Sequence, residues 1–94
     1  MLDMRGEDPQ RVARDVGRRI AEIRTASGLT QERFAERASV SLKYVQHVEG
    51  GKANLTLASL VKFAGLLGVR TVDLLAVPAS REVRRGRPVR QPPA

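Results

Sequence analysis

The stretch that decides the fold is LTQERFAERASVSLKYVQHVEGGK, residues 29–52. Thr30 and Ser41 are residue types that cap helix N-termini, and a short run with helical spacing follows each of them. The turn Ser39-Val40-Ser41 leaves only three residues between the two runs. Two short helices joined so tightly must cross at a large angle, which requires a small residue where they approach. Ala35 lies at that position.

The second helix of this pair has a narrow apolar stripe and ends at Gly50-Gly51. Val45 and Val48, with part of Tyr44, are predicted to face inward. The predicted outward residues are Leu42, Lys43, Gln46 and His47. Such a face is suited to entering a DNA major groove, although a plain amphipathic helix has the same pattern.

Helices are also predicted on both sides of this pair. Asp8-Pro9 begins a first helix that ends at Gly28-Leu29, and its inward residues are Val12, Val16, Ile20 and Ile23. In the helix that follows Thr30, which is the second of the chain, the residues predicted to face inward are Phe34, Ala35 and Ala38. Thr56 caps a fourth helix, with Leu57, Leu60, Val61, Ala64 and Leu67 on one face, and Thr71 begins a short fifth helix around Val72, Leu74 and Leu75. No run alternates as a strand does, so the predicted class is an all-α, five-helix domain over residues 9–77, preceded by an arm of residues 1–8.

Composition limits what this domain can do. The chain has 94 residues, no cysteine and a formal net charge of +7, and His47 is its one histidine. No transition-metal cluster or Ser/His/Asp system fits within such a chain, so we expect no metal, no cofactor and no enzymatic activity. No apolar run approaches the roughly 20 residues that span a bilayer, and the first residues do not read as a leader, so we expect no membrane association and a cytoplasmic protein.

The positive charge is concentrated at the C-terminus. Residues 1–78 carry a net charge of +3, and residues 79–94 carry +4. The last residues are rich in arginine and proline, and beyond Val83 only Val89 and Ala94 are apolar. Such a segment cannot bury a core, so residues 78–94 are predicted to form a disordered basic tail.

A family resemblance rests on residues spread over all five predicted helices: Leu29-Thr30-Gln31-Glu32, Phe34-Ala35, Ala38, Val40-Ser41, Tyr44-Val45, Val48-Glu49, Gly51-Lys52, Asn54, Leu57, Leu60 and Leu67-Gly68-Val69. In this order and spacing they resemble the helix-turn-helix domain shared by phage Cro and repressor proteins and by bacterial XRE-type regulators. The resemblance covers residues 12–76 and implies a phage-repressor-like fold that binds double-stranded DNA.

The resemblance also implies individual roles. The base-reading residues would be Ser41, Leu42, Lys43, Gln46 and His47, and the phosphate contacts would be Gln31, Tyr44, Lys52 and Asn54. An ion pair between Arg24 and Glu49 would tie the first helix to the end of the third.

These roles agree with the chemistry of the side chains. Gln31, beside the free amides of a helix N-terminus, suits a phosphate. Lys43 can donate either to guanine or to a phosphate, Gln46 or His47 can bond a purine, and Leu42 suits a thymine methyl group. Two alternatives stay open. His47 could be an ordinary surface residue that reads no base, and Arg24 and Glu49 could be two separate solvated charges that form no ion pair.

The tail carries a second, weaker resemblance, to the core of an AT-hook. Arg-Gly-Arg-Pro at residues 85–88 would lie in a narrow A/T-rich minor groove, because glycine permits close approach and arginine meets the negative potential there. A non-specific basic tail that contacts phosphates is the equal alternative. In either case the contacting residues would be Arg84, Arg85, Gly86, Arg87, Pro88 and Arg90.

One recognition helix covers few base pairs, so two copies on a pseudo-palindromic operator are expected. The predicted homodimer surface is the region 66–77, where Leu66, Leu74 and Val77 exceed what the core obviously needs, although satellite core packing would also explain them.

The leading hypothesis is therefore a sequence-specific transcription regulator, bacterial or phage-encoded and nucleoid-associated. It would act as a dimeric repressor or autoregulator that responds chiefly to its own concentration, as restriction-modification controller proteins of this family do. The run Asn54-Leu55-Thr56-Leu57 is similar to the corresponding run of those proteins. The alternative is the antitoxin of a toxin-antitoxin module, with a protein partner bound by the tail and an autoregulated operon. The tail has few apolar anchors for such a partner.

Overall fold

The computed structural model describes residues 6–79, and within them every regular element is helical. The α-helices are α1 (Pro9–Ala26), α2 (Gln31–Ala38), α3 (Leu42–Glu49) and α4 (Leu57–Leu67), and a 3-10 helix follows at Thr71–Leu75. The prediction of an all-α helix-turn-helix fold is confirmed. Residues 80–94 lie outside the described residues, as does most of the predicted arm, so the predictions for the tail and its AT-hook are not addressed by the fold.

Each α-helix begins at a side-chain cap. The carboxylate of Asp8 accepts a hydrogen bond from the backbone of Gln10 at 3.2 Å. The hydroxyls of Thr30, Ser41 and Thr56 each accept one at 3.0 Å from the N–H three residues later. These caps satisfy N–H groups that have no partner inside the helix, which is why the four predicted starts lie close to the observed ones.

The helix ends share one geometry. After α1, Gly28 has a φ of +76°, and the N–H of Leu29 donates to the carbonyl of Arg24 at 3.1 Å. Gly51 and Gly68 take the same left-handed conformation after α3 and α4. After α2 the left-handed residue is Ser39, at φ +57°. These left-handed residues end each helix within two residues and allow connections of a few residues.

The core lies where all the helices meet. Phe34 of α2 and Phe63 of α4 are both 1% exposed, and their ring centroids are 5.5 Å apart. Around them lie the other buried apolar residues: Val16, Ile20, Ala35, Ala38, Val45, Val48, Leu60, Ala64, Leu67 and Leu74. The inward faces predicted for α2 and α3 are therefore correct, and Val12 and Ile23 of α1 pack half-buried against the same core.

The predicted inward face of α4 is wrong at two positions. Leu57 and Val61 are 77% and 58% exposed, whereas Phe63, which was not predicted, is buried. Because α4 is apolar on most of its circumference, its spacing is compatible with more than one orientation. Burying the Phe63 ring removes more apolar surface from water than burying either exposed side chain would, which favours the observed rotation.

The predicted fifth helix is not an α-helix. Residues Thr71–Leu75 form a 3-10 helix, in which the carboxylate of Asp73 accepts a hydrogen bond from the N–H of Arg70 at 2.9 Å. Ala76 is already extended, and Val77 precedes Pro78, where a helical conformation is disfavoured. Five residues suit the tighter helix, which occurs in short pieces.

Candidate nucleic-acid interface

The position of α3 is set by a glycine in α1. Gly17 is buried, and a Cβ built on it would clash with the carbonyl oxygen of Val48 and lie 2.9 Å from that of Glu49. The backbone at the end of α3 therefore rests directly on α1. The apolar spacing of α1 did not single out Gly17, although a glycine inside a helical pattern is a signal of close packing.

An ion pair fixes the same junction from the side. Arg24 of α1 donates to the Glu49 carboxylate from Nε at 2.6 Å and from a terminal guanidinium nitrogen at 3.0 Å. Its other terminal nitrogen donates to the carbonyl of Leu29 at 2.7 Å. The side chains of Arg24 and Glu49 are only 13% and 7% exposed, so this is a largely buried, two-pronged pair rather than two solvated charges.

Gln31 belongs to this cluster as well. Its side-chain nitrogen donates to the Glu49 carboxylate at 2.9 Å. The amide nitrogen carries two hydrogens, so this bond orients the side chain and leaves a second donor. The cluster thus holds the first residue of α2 against the last residue of α3, and the phosphate role of Gln31 remains a prediction compatible with that geometry.

The outer face of α3 is polar and exposed. Lys43, Gln46 and His47 are exposed, while Val45 and Val48 beneath them are 1% and 2% exposed. Within residues 6–79, none of the three exposed side chains makes a hydrogen bond or an ion pair. They form a row of donors and acceptors on a helix whose opposite side is anchored in the core.

Three other predicted contacts differ in their surroundings. Ser41 is exposed, but its hydroxyl already caps α3. Leu42 is half-buried, so it presents only part of its side chain outward. Tyr44 is half-buried too, with its ring centroid 6.4 Å from that of Phe63. A base contact by Ser41 or Leu42 and a phosphate contact by Tyr44 therefore remain predictions.

The loop after α3 completes the candidate surface. Lys52 and Asn54 are exposed and line a groove whose other wall is the beginning of α1, including Gln10 and Arg14. Arg14 was not predicted as a site residue. It lies three residues before Gly17, on nearly the same side of α1, and that spacing is the sequence signal that could have found it.

Two other kinds of site have no counterpart in the part of the chain that the structure describes. Across residues 6–79, no three His, Cys, Asp or Glu side chains are grouped so as to hold a metal ion. In the same part of the chain, no helix has the length and apolar character needed to cross a bilayer. The predicted tail residues from Arg84 to Arg90 lie outside the described residues.

The chain belongs to the helix-turn-helix family, because the family profile described as Helix-turn-helix matches residues 20–74, more than half of the chain. The resemblance to phage repressors and bacterial regulators is thereby confirmed.

Three relatives refine this membership. The chain is 38% identical over 60 residues to an uncharacterized HTH-type transcriptional regulator, y4dJ, of Sinorhizobium fredii, a match that covers 64% of this chain and 78% of that protein. It is 40% identical over 55 residues to the immunity repressor protein of Bacillus phage phi105, which covers 58% of this chain and 38% of the repressor. It is also similar to the crystal structure of the restriction-modification controller protein C.AhdI from Aeromonas hydrophila, with a TM-score of 0.63 and 35% identity over 66% of this chain and 94% of that one.

Proposed function

We propose that this protein is a sequence-specific transcription regulator that places α3 in the major groove of double-stranded DNA. The observation that carries the proposal is the two-sided character of α3. Its buried valines and the Arg24–Glu49 pair fix it rigidly, while Lys43, Gln46 and His47 project with no partner within residues 6–79. A rigid helix with unsatisfied polar side chains is what direct readout of base edges requires.

The bases are read from this row. Gln46 matches the paired donor and acceptor of adenine, and His47 can donate to a purine nitrogen. Lys43 donates to guanine, or to a phosphate where no guanine is in reach. Leu42, being partly exposed, adds apolar contact with a thymine methyl group, and Ser41 lies at the start of the helix, next to the groove edge.

The phosphates are held on both sides of α3. Gln31 and the N-terminal amides of α2 bind one phosphate, in a site that is neutral and already oriented by Glu49. Lys52 and Asn54 bind the backbone beyond the other end of α3, and Tyr44 adds its hydroxyl at the groove edge. These contacts position the protein without reading sequence.

A second copy of the chain binds through an exposed apolar surface. Within residues 6–79, every exposed large hydrophobic residue lies on α4 or after it. We call this set the apolar stripe: Leu57, Val61, Val72, Leu75 and Val77. Of the three residues first predicted for this surface, Val77 is 71% exposed, but Leu74 is fully buried and Leu66 packs against the core. Leu74 therefore serves the core, and the stripe replaces it as the dimer surface.

The regulator acts as a repressor or autoregulator in the cytoplasm, on the nucleoid. The similarity to a phage immunity repressor and to a restriction-modification controller supports this assignment. The same relatives favour regulation over the antitoxin hypothesis, which depended on a tail outside the described residues. A dimer that binds its own promoter and responds to its own concentration needs neither a cofactor nor a catalytic group.

A footprint of the full chain on its own upstream DNA tests this proposal. We expect one protected region with two symmetric halves whose centres are about 34 Å apart, the spacing at which two recognition helices face the same side of the duplex. If the upstream DNA were protected uniformly, and only at protein concentrations that also protect unrelated DNA, sequence-specific regulation would be contradicted.

A further inference from the structure

A groove outside the helix-turn-helix lies between the beginning of α1 and the loop after α3. Gln10 and Arg14 form one wall, and Gly51, Lys52 and Asn54 lie on the other. Gln10 and Arg14 are four residues apart, so they share one side of α1. The predicted site included only the loop side of this groove.

Gly51 is what brings the two walls together. Its φ of +75° favours glycine, and a Cβ built on it would lie 2.6 Å from Cγ and 2.7 Å from Cα of Arg14. The loop backbone therefore rests on the stem of the arginine side chain. Because Lys52 follows Gly51 directly, its backbone is held beside Arg14 in a fixed arrangement.

The groove is rich in donors and positively charged. Arg14 and Lys52 are exposed, and within residues 6–79 neither side chain forms a hydrogen bond or an ion pair. Asp8, which begins α1, is engaged as its cap and accepts a hydrogen bond from the N–H of Gln10. The cap bond leaves the negative charge of Asp8 in place, one turn before the groove wall formed by Gln10 and Arg14. Arg14 and Lys52 carry like charges, and an anion bound between them would reduce their mutual repulsion.

We propose that Arg14 binds a phosphate of the DNA backbone together with Lys52 and Asn54, so that α1 forms part of the DNA-binding surface. The groove begins at the residue after α3, so a helix in the major groove brings the adjoining phosphates to it. Guanidinium and phosphate match in geometry and charge. This inference rests on the proposed function and adds a contact to it.

Salt titrations of the full chain on its footprinted site test the inference. Four proteins are compared: the wild type, Arg14→Ala, Arg14→Lys and Arg37→Ala. Arg37 is another exposed arginine, near the end of α2 away from Gln31, so its replacement controls for loss of general positive charge. An unchanged melting temperature checks that each variant folds.

We expect Arg14→Ala to reduce the slope of log K against log salt by about 0.9, which corresponds to roughly tenfold weaker binding at 0.1 M salt. The loss should be equal on the specific site and on an unrelated duplex, because a phosphate contact reads no sequence. Arg14→Lys should keep most of the slope, and Arg37→Ala should keep all of it.

Two failures are distinguishable. If the wild type binds no duplex, the proposed function fails and this inference falls with it. If the wild type binds its site and the slope for Arg14→Ala equals that for Arg37→Ala, the phosphate contact alone is overturned.

Discussion

Helices α3 and α4 use apolar residues in different ways. In α3 the two valines are buried, and the exposed side chains around them are polar. In α4 large apolar side chains lie on both sides: Phe63 is buried at 1% exposure, but Leu57 is 77% exposed. The apolar content of a helix therefore does not show which way it faces. What differs is how each helix is held in place.

The two helices are anchored by different forces. The end of α3 is fixed by a buried ion pair and by backbone contact at Gly17, both of which are sensitive to geometry. In contrast, α4 is held by apolar burial around the Phe34 and Phe63 rings, and Gly65 within it has open space around it. Changes at the α3 junction should therefore cost much more stability than matched changes on α4.

The largest expected effect is at the ion pair. Glu49→Ala leaves Arg24 largely buried without its counter-charge and removes the acceptor that orients Gln31. We expect the free energy of unfolding to fall by about 3–5 kcal/mol, measured by urea denaturation followed by circular dichroism. The control is Glu36→Ala, because Glu36 forms only an exposed ion pair with Arg33, at 4.0 Å. This replacement should leave the free energy of unfolding almost unchanged. Equal curves for the two variants would show that the junction does not anchor α3.

A pair of glycine substitutions gives the next largest contrast. Gly17→Ala forces a methyl group into the backbone at the end of α3, so we expect a loss of about 1–3 kcal/mol in the free energy of unfolding. A Cβ at Gly65 would have no atom within 4 Å. Because alanine is the better helix former, Gly65→Ala should raise the free energy of unfolding by about 0.5–1 kcal/mol. In thermal melts, the melting temperature should therefore fall for Gly17→Ala and rise for Gly65→Ala. A stabilised Gly17→Ala protein would refute the close packing of α1 and α3.

The smallest effect on stability is expected on the apolar stripe. Replacing Leu57 and Val61 together with serine should change the free energy of unfolding of the monomer by no more than about 0.5 kcal/mol per site, because both are exposed. The same replacement should shift the protein from dimer to monomer in sedimentation equilibrium. Unaltered association would place the dimer interface elsewhere.

Local signals allowed much of the fold to be predicted. Thr30, Ser41 and Thr56 cap helices through bonds to residues three positions later, and such short-range chemistry is visible in sequence. The rotation of α4 was not predictable, because Val61 and Phe63 are both apolar and only the tertiary packing decides between them. The burial of Leu74 has the same explanation.

The candidate site was predictable to a similar extent. The pairing of Arg24 with Glu49 follows from the family resemblance, and the structure contains it. Gly17 and Arg14 were not found, because each matters through a contact with a residue more than 30 positions away in the chain. Spacing within α1 marks Gly17 as a point of close packing and places Arg14 on nearly the same side, but it does not say which distant residues they contact.

The central claim is that α3 reads DNA sequence while the surrounding residues hold the backbone. The most direct test measures the ratio of affinities for the footprinted site and a scrambled duplex, at one fixed salt concentration. Replacing Lys43 and Gln46 together with alanine should reduce that ratio by at least tenfold, since each good base contact contributes about 1–3 kcal/mol. Replacing Lys52 with alanine should weaken both affinities and leave the ratio unchanged. An unchanged ratio in the Lys43 and Gln46 double variant would contradict the account.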